Sequence, residues 1–298
     1  MYKLEGVFTA LITPFDNNQI DEKSLVKLVE TQISSGISGI VPCGTTGESP
    51  TLTEAEQQFI IELSAKIAKG KIPIIAGAGS NSTEKTITLC KNAEKAGADI
   101  LMLIVPYYNK PTQEGLYQHF KYVARSVNLP IIIYNNPSRT AVDLHDITLS
   151  KLVHECNNII GIKDASGDLT RPMLLHNMLE KEFSYLSGDD ATALSFNAAG
   201  GNGCISVISN IIPELCVKLQ NLWNNNKIKE AIALQSKLMP LCRTMFCESN
   251  PVPVKYAASL LGICKTDVRL PLVLPSVSNQ KLIQDSLISL GILKNSNI

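Results

Sequence analysis

Residues 158–168 read NIIGIKDASGD, an apolar run that ends on Lys163 and breaks at once into a polar turn, Asp164 to Asp168. A run this short and this rich in branched side chains, bounded by turn residues, reads as a strand buried on both faces of a parallel sheet. A cation at its carboxyl end stands where parallel α/β proteins keep their chemistry. Low dielectric favours the neutral form of a lysine, and a neutral amine attacks a ketone. A lysine stem snorkelling from the strand end to solvent is the plainer alternative.

Working outward, further runs of the same kind stand at residues 7–13, 39–43, 72–77, 100–105, 131–135, 183–187 and 203–207. Their starts recur every ~20 to 33 residues, the length of a strand-loop-helix-loop unit. Helix signals fill the intervals. Thr53 and Glu56 form a capping box ahead of a helix stopped by Gly70, and Asn81 with Glu84 repeats the pattern before Gly97. Leu25, Val26, Leu28, Val29 and Ile33 give one apolar face after Asp21, and Pro213 stands as a first-turn proline. This alternation, with no GxGxxG fingerprint, predicts a (β/α)8 barrel over residues 1–224 rather than an open doubly wound sheet. Beyond Trp223 the strands cease. Segments 228–239, 252–262 and 281–290 read as helices, joined by loops bearing Pro271 and Pro275, and 225–298 is expected to be a small helical domain.

Composition narrows the function. Among 298 residues, Lys and Arg number 27, as do Asp and Glu, and no basic block or acidic tail breaks the balance. Neither nucleic acid nor an anionic membrane is indicated, which leaves a small molecule as the expected partner. The eight cysteines are scattered, without a CxxC pair or a histidine at zinc-finger spacing, so neither a disulfide framework nor a metal cage is expected. Thiols inside apolar stretches fit a reducing cytosol. MYKLEG at the start lacks a basic segment followed by a long apolar one, and no stretch could cross a bilayer. A soluble cytoplasmic protein is the expectation.

The chemistry-bearing residues gather where barrel strands end. GTTGE (44–48) follows one strand, PYYN (106–109) another, YNNPSRT (134–140) closes a third, and SGDD (187–190) and GGNGCISV (200–207) frame the last two. With GIKDASG (161–167) and ESNPVPVK (248–255), these motifs, in this order over essentially the whole chain, resemble the pyruvate-dependent class I lyases. The dihydrodipicolinate synthases among them are the most similar.

That resemblance implies that Lys163 forms a Schiff base with pyruvate, whose enamine attacks the aldehyde of L-aspartate 4-semialdehyde before the adduct cyclises, in the route to diaminopimelate and lysine. It implies no metal or organic cofactor, because a protonated imine is itself the electron sink. By motif match, Tyr134, Thr45 and Tyr108 form a hydroxyl relay, with Tyr108 reaching in from a neighbouring subunit of a homotetramer. Thr46, with Thr45, offers amides to the pyruvate carboxylate. Arg139 would fork onto the carboxylate of the semialdehyde. Gly188 and Ile205 would approach the imine through backbone atoms.

Ordinary roles compete at several of these positions: turn chemistry for the Thr45–Thr46 loop, an interface anchor for Tyr108, barrel filling for Ile205, a surface ion pair for Arg139. Asp189 and Asp190 read as helix caps, Gly77 and Gly79 as tight packing, and His119, His145, His154 and His176 as solvated or capping. Asn136 departs from the family's usual Val or Ile. The family's lysine-feedback site is partly retained, at Ser49, Asn81 and Tyr107, but Glu54 and Gln57 replace its histidines and Lys85 its glutamate. Feedback by lysine is therefore expected to be weak or absent. A sugar-acid lyase on the same scaffold, such as an N-acetylneuraminate lyase, and a catalytically silent barrel are the rival readings.

Overall fold

The apolar runs become the staves of a closed cylinder in the computed structural model, which describes residues 4–179 and 182–294. The outer ends of the two expected units, at 1–3 and 295–298, lie outside the described residues. Strand β1 (Gly6–Ala10) precedes an antiparallel hairpin, β2 (Phe15–Asp16) and β3 (Gln19–Ile20). Then follow β4 (Gly39–Val41), β5 (Ile75–Gly77), β6 (Ile100–Ile104), β7 (Ile131–Asn135), β8 (Ile159–Asp164), β9 (Ser184–Ser187) and β10 (Gly203–Ser206). Outside the hairpin the strands pair in parallel in the order β4-β1-β10-β9-β8-β7-β6-β5, and a bridge between Ile40 and Ile74 joins the two ends. Closure leaves no long strand edge to pair with another chain.

Most strands are shorter than the sequence predicts, and the largest shifts of boundary are at the end of β1 and the start of β5. Past Ala10 the chain turns to side-chain partners: the Ile12 amide donates to Asn210 Oδ1, and Thr13 Oγ1 to the Gly47 carbonyl. Ahead of β5, Pro73 has no N–H for a ladder and only accepts, from the Ile40 amide.

Helices α1 (Glu22–Ser34), α2 (Glu54–Ala68), α3 (Thr83–Lys95), α4 (Gln113–Ser126), α5 (Pro137–Thr140) and α6 (Asp146–Glu155) occupy the first intervals. They are followed by α7 (Arg171–Met178), α8 (Ala193–Ala198), α9 (Pro213–Asn224), α10 (Ile228–Thr244), α11 (Val252–Leu260) and α12 (Val277–Ser289). The capping box of α2 is complete: Thr53 Oγ1 accepts from the Glu56 amide at 3.2 Å, and Glu56 Oε2 accepts from the Thr53 amide at 2.8 Å. The cap of α3 differs from expectation. Ser82, one residue later than Asn81, accepts from the Lys85 amide, while the Asn81 carbonyl is taken by Asn109 Nδ2. Helix α10 runs through Pro240 to Thr244, because Leu238, Leu241 and Cys242 are fully buried and their packing offsets a cost of about 3 kcal/mol.

Apolar side chains divide between two cores. Phe8, Val41, Ile75, Ile100, Met102, Ile132, Ile160, Leu186 and Ile205 fill the cylinder, and a larger cluster lies between strands and helices. Ala231, Leu238 and Leu241 of α10 belong to the larger cluster, so the C-terminal helices share the barrel's outer core. No helix among the described residues is long and apolar enough to cross a membrane.

Strand β8 breaks its own alternation. Ile131 pairs with Ile159 but Ile132 pairs with Gly161, so Ile160 is an extra residue, a bulge. Ile160 packs inside the cylinder, Ile159 and Ile162 outside it. Without the bulge Ile162 would face inward and Lys163 outward; with it, Lys163 pairs beside inward-facing Tyr134. Gly161 tolerates the shift because a Cβ there would lie 2.8 Å from the Ser184 carbonyl oxygen.

Candidate active site

The bulge delivers Lys163 to the mouth of the barrel with its amine over a phenol. Its Nζ lies 4.1 Å from the centroid of the Tyr134 ring, the residue is 6% exposed, and no carboxylate pairs with it among the described residues. The stem needs room that Gly188 supplies: a Cβ there would stand 2.9 Å from Ala165 Cβ and 3.3 Å from Lys163 Cε. The Gly188 amide donates to the Asp164 carbonyl. Asp164 secures the loop beyond the lysine. Its Oδ1 accepts from the Ser166 amide and hydroxyl, and its Oδ2 pairs at 3.0 Å with Arg171, which also holds Asp143 and Asp146.

A cavity of about 660 Å³ opens over Lys163, and Thr45, Thr46, Tyr134, Arg139 and Gly188 line it too. The Thr45 and Thr46 amides have no backbone acceptor among the described residues, as donors awaiting an anion would. Their loop is tightly wound, with the Gly47 amide donating to Gly44 and the Glu48 amide to Thr45. It is also held from outside by two contacts that sequence reading missed. Asn250 Nδ2 donates to Thr46 Oγ1 at 2.9 Å, and Lys255 Nζ lies 2.5 Å from Glu48 Oε1 with both side chains fully buried. Burial pushes the Lys255 amine below its ordinary value, against the pull of Glu48. Arg139, on α5, reaches back to donate to the Asn250 carbonyl at 3.3 Å.

Residues 3–289 match the model of one protein family, described as the dihydrodipicolinate synthetase family. The chain belongs to that family. The 4-hydroxy-tetrahydrodipicolinate synthases of Bartonella henselae and Rhizobium meliloti are 50% and 49% identical to it, over 98% and 97% of this chain and 99% of each of theirs. The solved 4-hydroxy-tetrahydrodipicolinate synthase of the methanotroph Methylacidiphilum fumariolicum superposes with a TM-score of 0.95 at 46% identity, covering 97% of this chain and 96% of that one. A dihydrodipicolinate synthase of Cyanidioschyzon merolae, with lysine bound, gives 0.94 at 35% identity and covers 97% and 99%.

Against this dihydrodipicolinate synthetase background the remaining expected residues fall into two groups. Ile205 is fully buried in the inner cluster and is not among the residues lining the cavity. Tyr108 is 88% exposed, in the left-handed region at φ +71°, and is not among the residues lining the cavity. A second cavity of about 350 Å³ is lined by Ser49, Glu54, Gln57, Lys85 and Tyr107, with Thr45, Tyr134 and Arg139 common to both; Asn81 is not part of its wall.

Other sequence readings need revision. His119 is buried, not solvated: Nδ1 meets Thr83 Oγ1 at 2.9 Å, Nε2 has no partner among the described residues, and burial pushes its pKa down to about 4. Leu116, His119, Phe120 and Val123 share one helical face, a spacing that signals burial. Asp190 does not cap α8. It is buried and accepts from the amides of Val207 and Ile208, while Asp189 accepts from Ala191 and Thr192. Gly77 and Gly79 do mark tight packing, since Cβ atoms there would lie 2.2 Å from the Cys43 carbonyl oxygen and 2.4 Å from the Ile104 nitrogen.

Proposed function

We propose that this lyase condenses pyruvate with L-aspartate 4-semialdehyde to give 4-hydroxy-tetrahydrodipicolinate, the step for which its curated relatives are named. The observation that carries the reading is the bulge in β8, which turns Lys163 inward against Tyr134 with no carboxylate among the described residues to pair its amine. Lys163 Nζ attacks the keto carbon of pyruvate, and loss of the carbonyl oxygen as water leaves a protonated imine. Removal of a methyl proton gives the enamine, whose carbon bonds to the aldehyde carbon, with the aldehyde oxygen taking a proton. The amino group of the adduct then replaces Lys163 at the imine carbon, closing the ring and freeing the lysine. One water is released overall.

The other residues serve these steps. Tyr134, with Thr45, relays protons, help of the kind that contributes ~10²- to 10⁴-fold. The free amides of Thr45 and Thr46 hold the pyruvate carboxylate. Arg139 binds that of the semialdehyde, Gly188 faces the imine through its carbonyl, and Ile205 closes the floor. Residues 1–224 form the catalytic barrel and 225–298 a helical unit over its mouth. The enzyme works in the cytoplasm without a cofactor, as a homotetramer in which Tyr108 enters the neighbouring subunit's site; its exposure supports that role. L-lysine inhibits weakly or not at all, because Lys85 lines the second cavity and would repel its amine.

A turnover assay with pyruvate and a panel of aldehydes tests the substrate. Aspartate semialdehyde is the aldehyde expected to be consumed, and Arg139→Ala should cost about 1.5–3 kcal/mol in kcat/KM for it. Faster turnover of a sugar aldehyde, or an unchanged semialdehyde profile in the variant, contradicts the assignment. Inhibition by micromolar L-lysine contradicts the reading of the second cavity.

A further inference from the structure

Asn136 makes contacts that its place in the turn after β7 does not require. It is buried, and its side chain faces two ways. Oδ1 accepts from the Arg139 amide at 3.3 Å and from Ser138 Oγ at 2.7 Å, capping α5. Nδ2 donates to the Tyr134 hydroxyl oxygen at 2.8 Å. The two ends of this amide are not interchangeable. The Arg139 amide can only donate, so the atom facing it must be the oxygen, and the atom left for Tyr134 is the NH₂. A phenol that accepts from this donor keeps its own proton for another partner, and Tyr134 Oη has no other hydrogen-bond partner among the described residues. Tyr134 lines the cavity that Lys163 lines.

We infer that Asn136 is a positioning residue that sets Tyr134 as a proton donor toward the cavity and ties it to the turn carrying Arg139. One side chain thus fixes the direction of the relay and the base of the guanidinium that would hold the second substrate. A Val or Ile at this position could cap nothing and donate nothing. The phenol proton would then be free to rotate between partners. This inference rests on the reading of Tyr134 as the proton relay.

Two variants separate the two ends of the amide. Asn136→Ser keeps a capping oxygen for the Arg139 amide but is too short to reach the phenol. Asn136→Asp also keeps the cap, and turns a carboxylate oxygen to Tyr134, which must then donate into it and away from the cavity. Each is expected to lower kcat about tenfold, the worth of one hydrogen bond, while KM for pyruvate moves by less than about twofold. Their melting midpoints should match the parent, whereas Asn136→Ala, which loses the cap, should melt earlier. In a Tyr134→Phe background neither substitution should have a further effect, because the oxygen it acts on is gone.

Unchanged kcat in both variants, with Tyr134→Phe slow, overturns the role of Asn136 and leaves the relay intact. An equal loss with and without the tyrosine hydroxyl also overturns it, since Asn136 would then act on something else. Undiminished turnover by Tyr134→Phe overturns the relay reading itself, and this inference with it.

Discussion

The loops at residues 44–48 and 106–110 both leave barrel strands at the same mouth, yet the first is pinned on every side and the second stands open. Thr13 holds the Gly47 carbonyl, Asn250 the Thr46 hydroxyl, and Lys255 and the Arg269 amide the Glu48 carboxylate. Glu48 adopts a left-handed conformation at φ +57°, a cost of order 1–3 kcal/mol that those bonds offset. In the other loop Tyr107 is half-exposed and Tyr108 almost wholly so. Lys110, like Tyr108, has a positive φ, and the Asn109 bond to the Asn81 carbonyl ties the loop to its neighbour. The difference teaches that the groups proposed to seat the first substrate are fixed by this chain's own buried bonds. The open loop presents an aromatic side chain to whatever lies beyond the chain.

Breaking the clamp should have the largest effect. Lys255→Met leaves Glu48 buried without its partner, and a loss of about 3–5 kcal/mol in unfolding free energy is expected from denaturant titration. Adding Glu48→Gln should return most of it. If the single variant is as stable as the parent, the pair does not hold the loop.

For the open loop, Tyr108→Phe is expected to lower kcat about tenfold without moving the unfolding midpoint, the loss of one hydroxyl from the relay. Dilution that separates subunits should produce the same fall in the unaltered protein. Full specific activity in a verified monomer would place Tyr108 outside the chemistry.

The smallest effect concerns the buried contact behind the open loop, where His119 of α4 meets Thr83 of α3. Burial lowers its pKa from 6.5 to about 4, so the unfolded chain takes up the proton first as pH falls. Its contribution to stability is complete above about pH 6.5 and is lost as pH falls to about 4. His119→Gln should therefore flatten the decline of stability across that window; an identical slope in parent and variant would refute this.

The ends of β7 and β8 were legible because the signal is local. A branched apolar run breaking into Asp164-Ala-Ser-Gly or Asn136-Pro-Ser is visible within ten residues, and Thr53 with Glu56 announces a helix as plainly. The clamp was not legible. Glu48 and Lys255 are 207 positions apart, and nothing in either neighbourhood predicts that they meet. The bulge lies between these cases. Gly161 inside a strand is a recognised sign of one, but only the pairing shows that Ile160 is the extra residue and that Lys163 owes its direction to it. Asn81 and Ser82 are both good caps, and a one-residue choice between them depends on where the preceding loop is tied, here through Asn109.

The central claim concerns Lys163, and trapping its imine tests it most directly. Incubation with pyruvate and borohydride, followed by intact-mass measurement and peptide mapping, should show one reduced pyruvyl adduct per chain, on Lys163, and none in Lys163→Met. An adduct on another lysine, or none while the untreated enzyme turns over, would contradict the account.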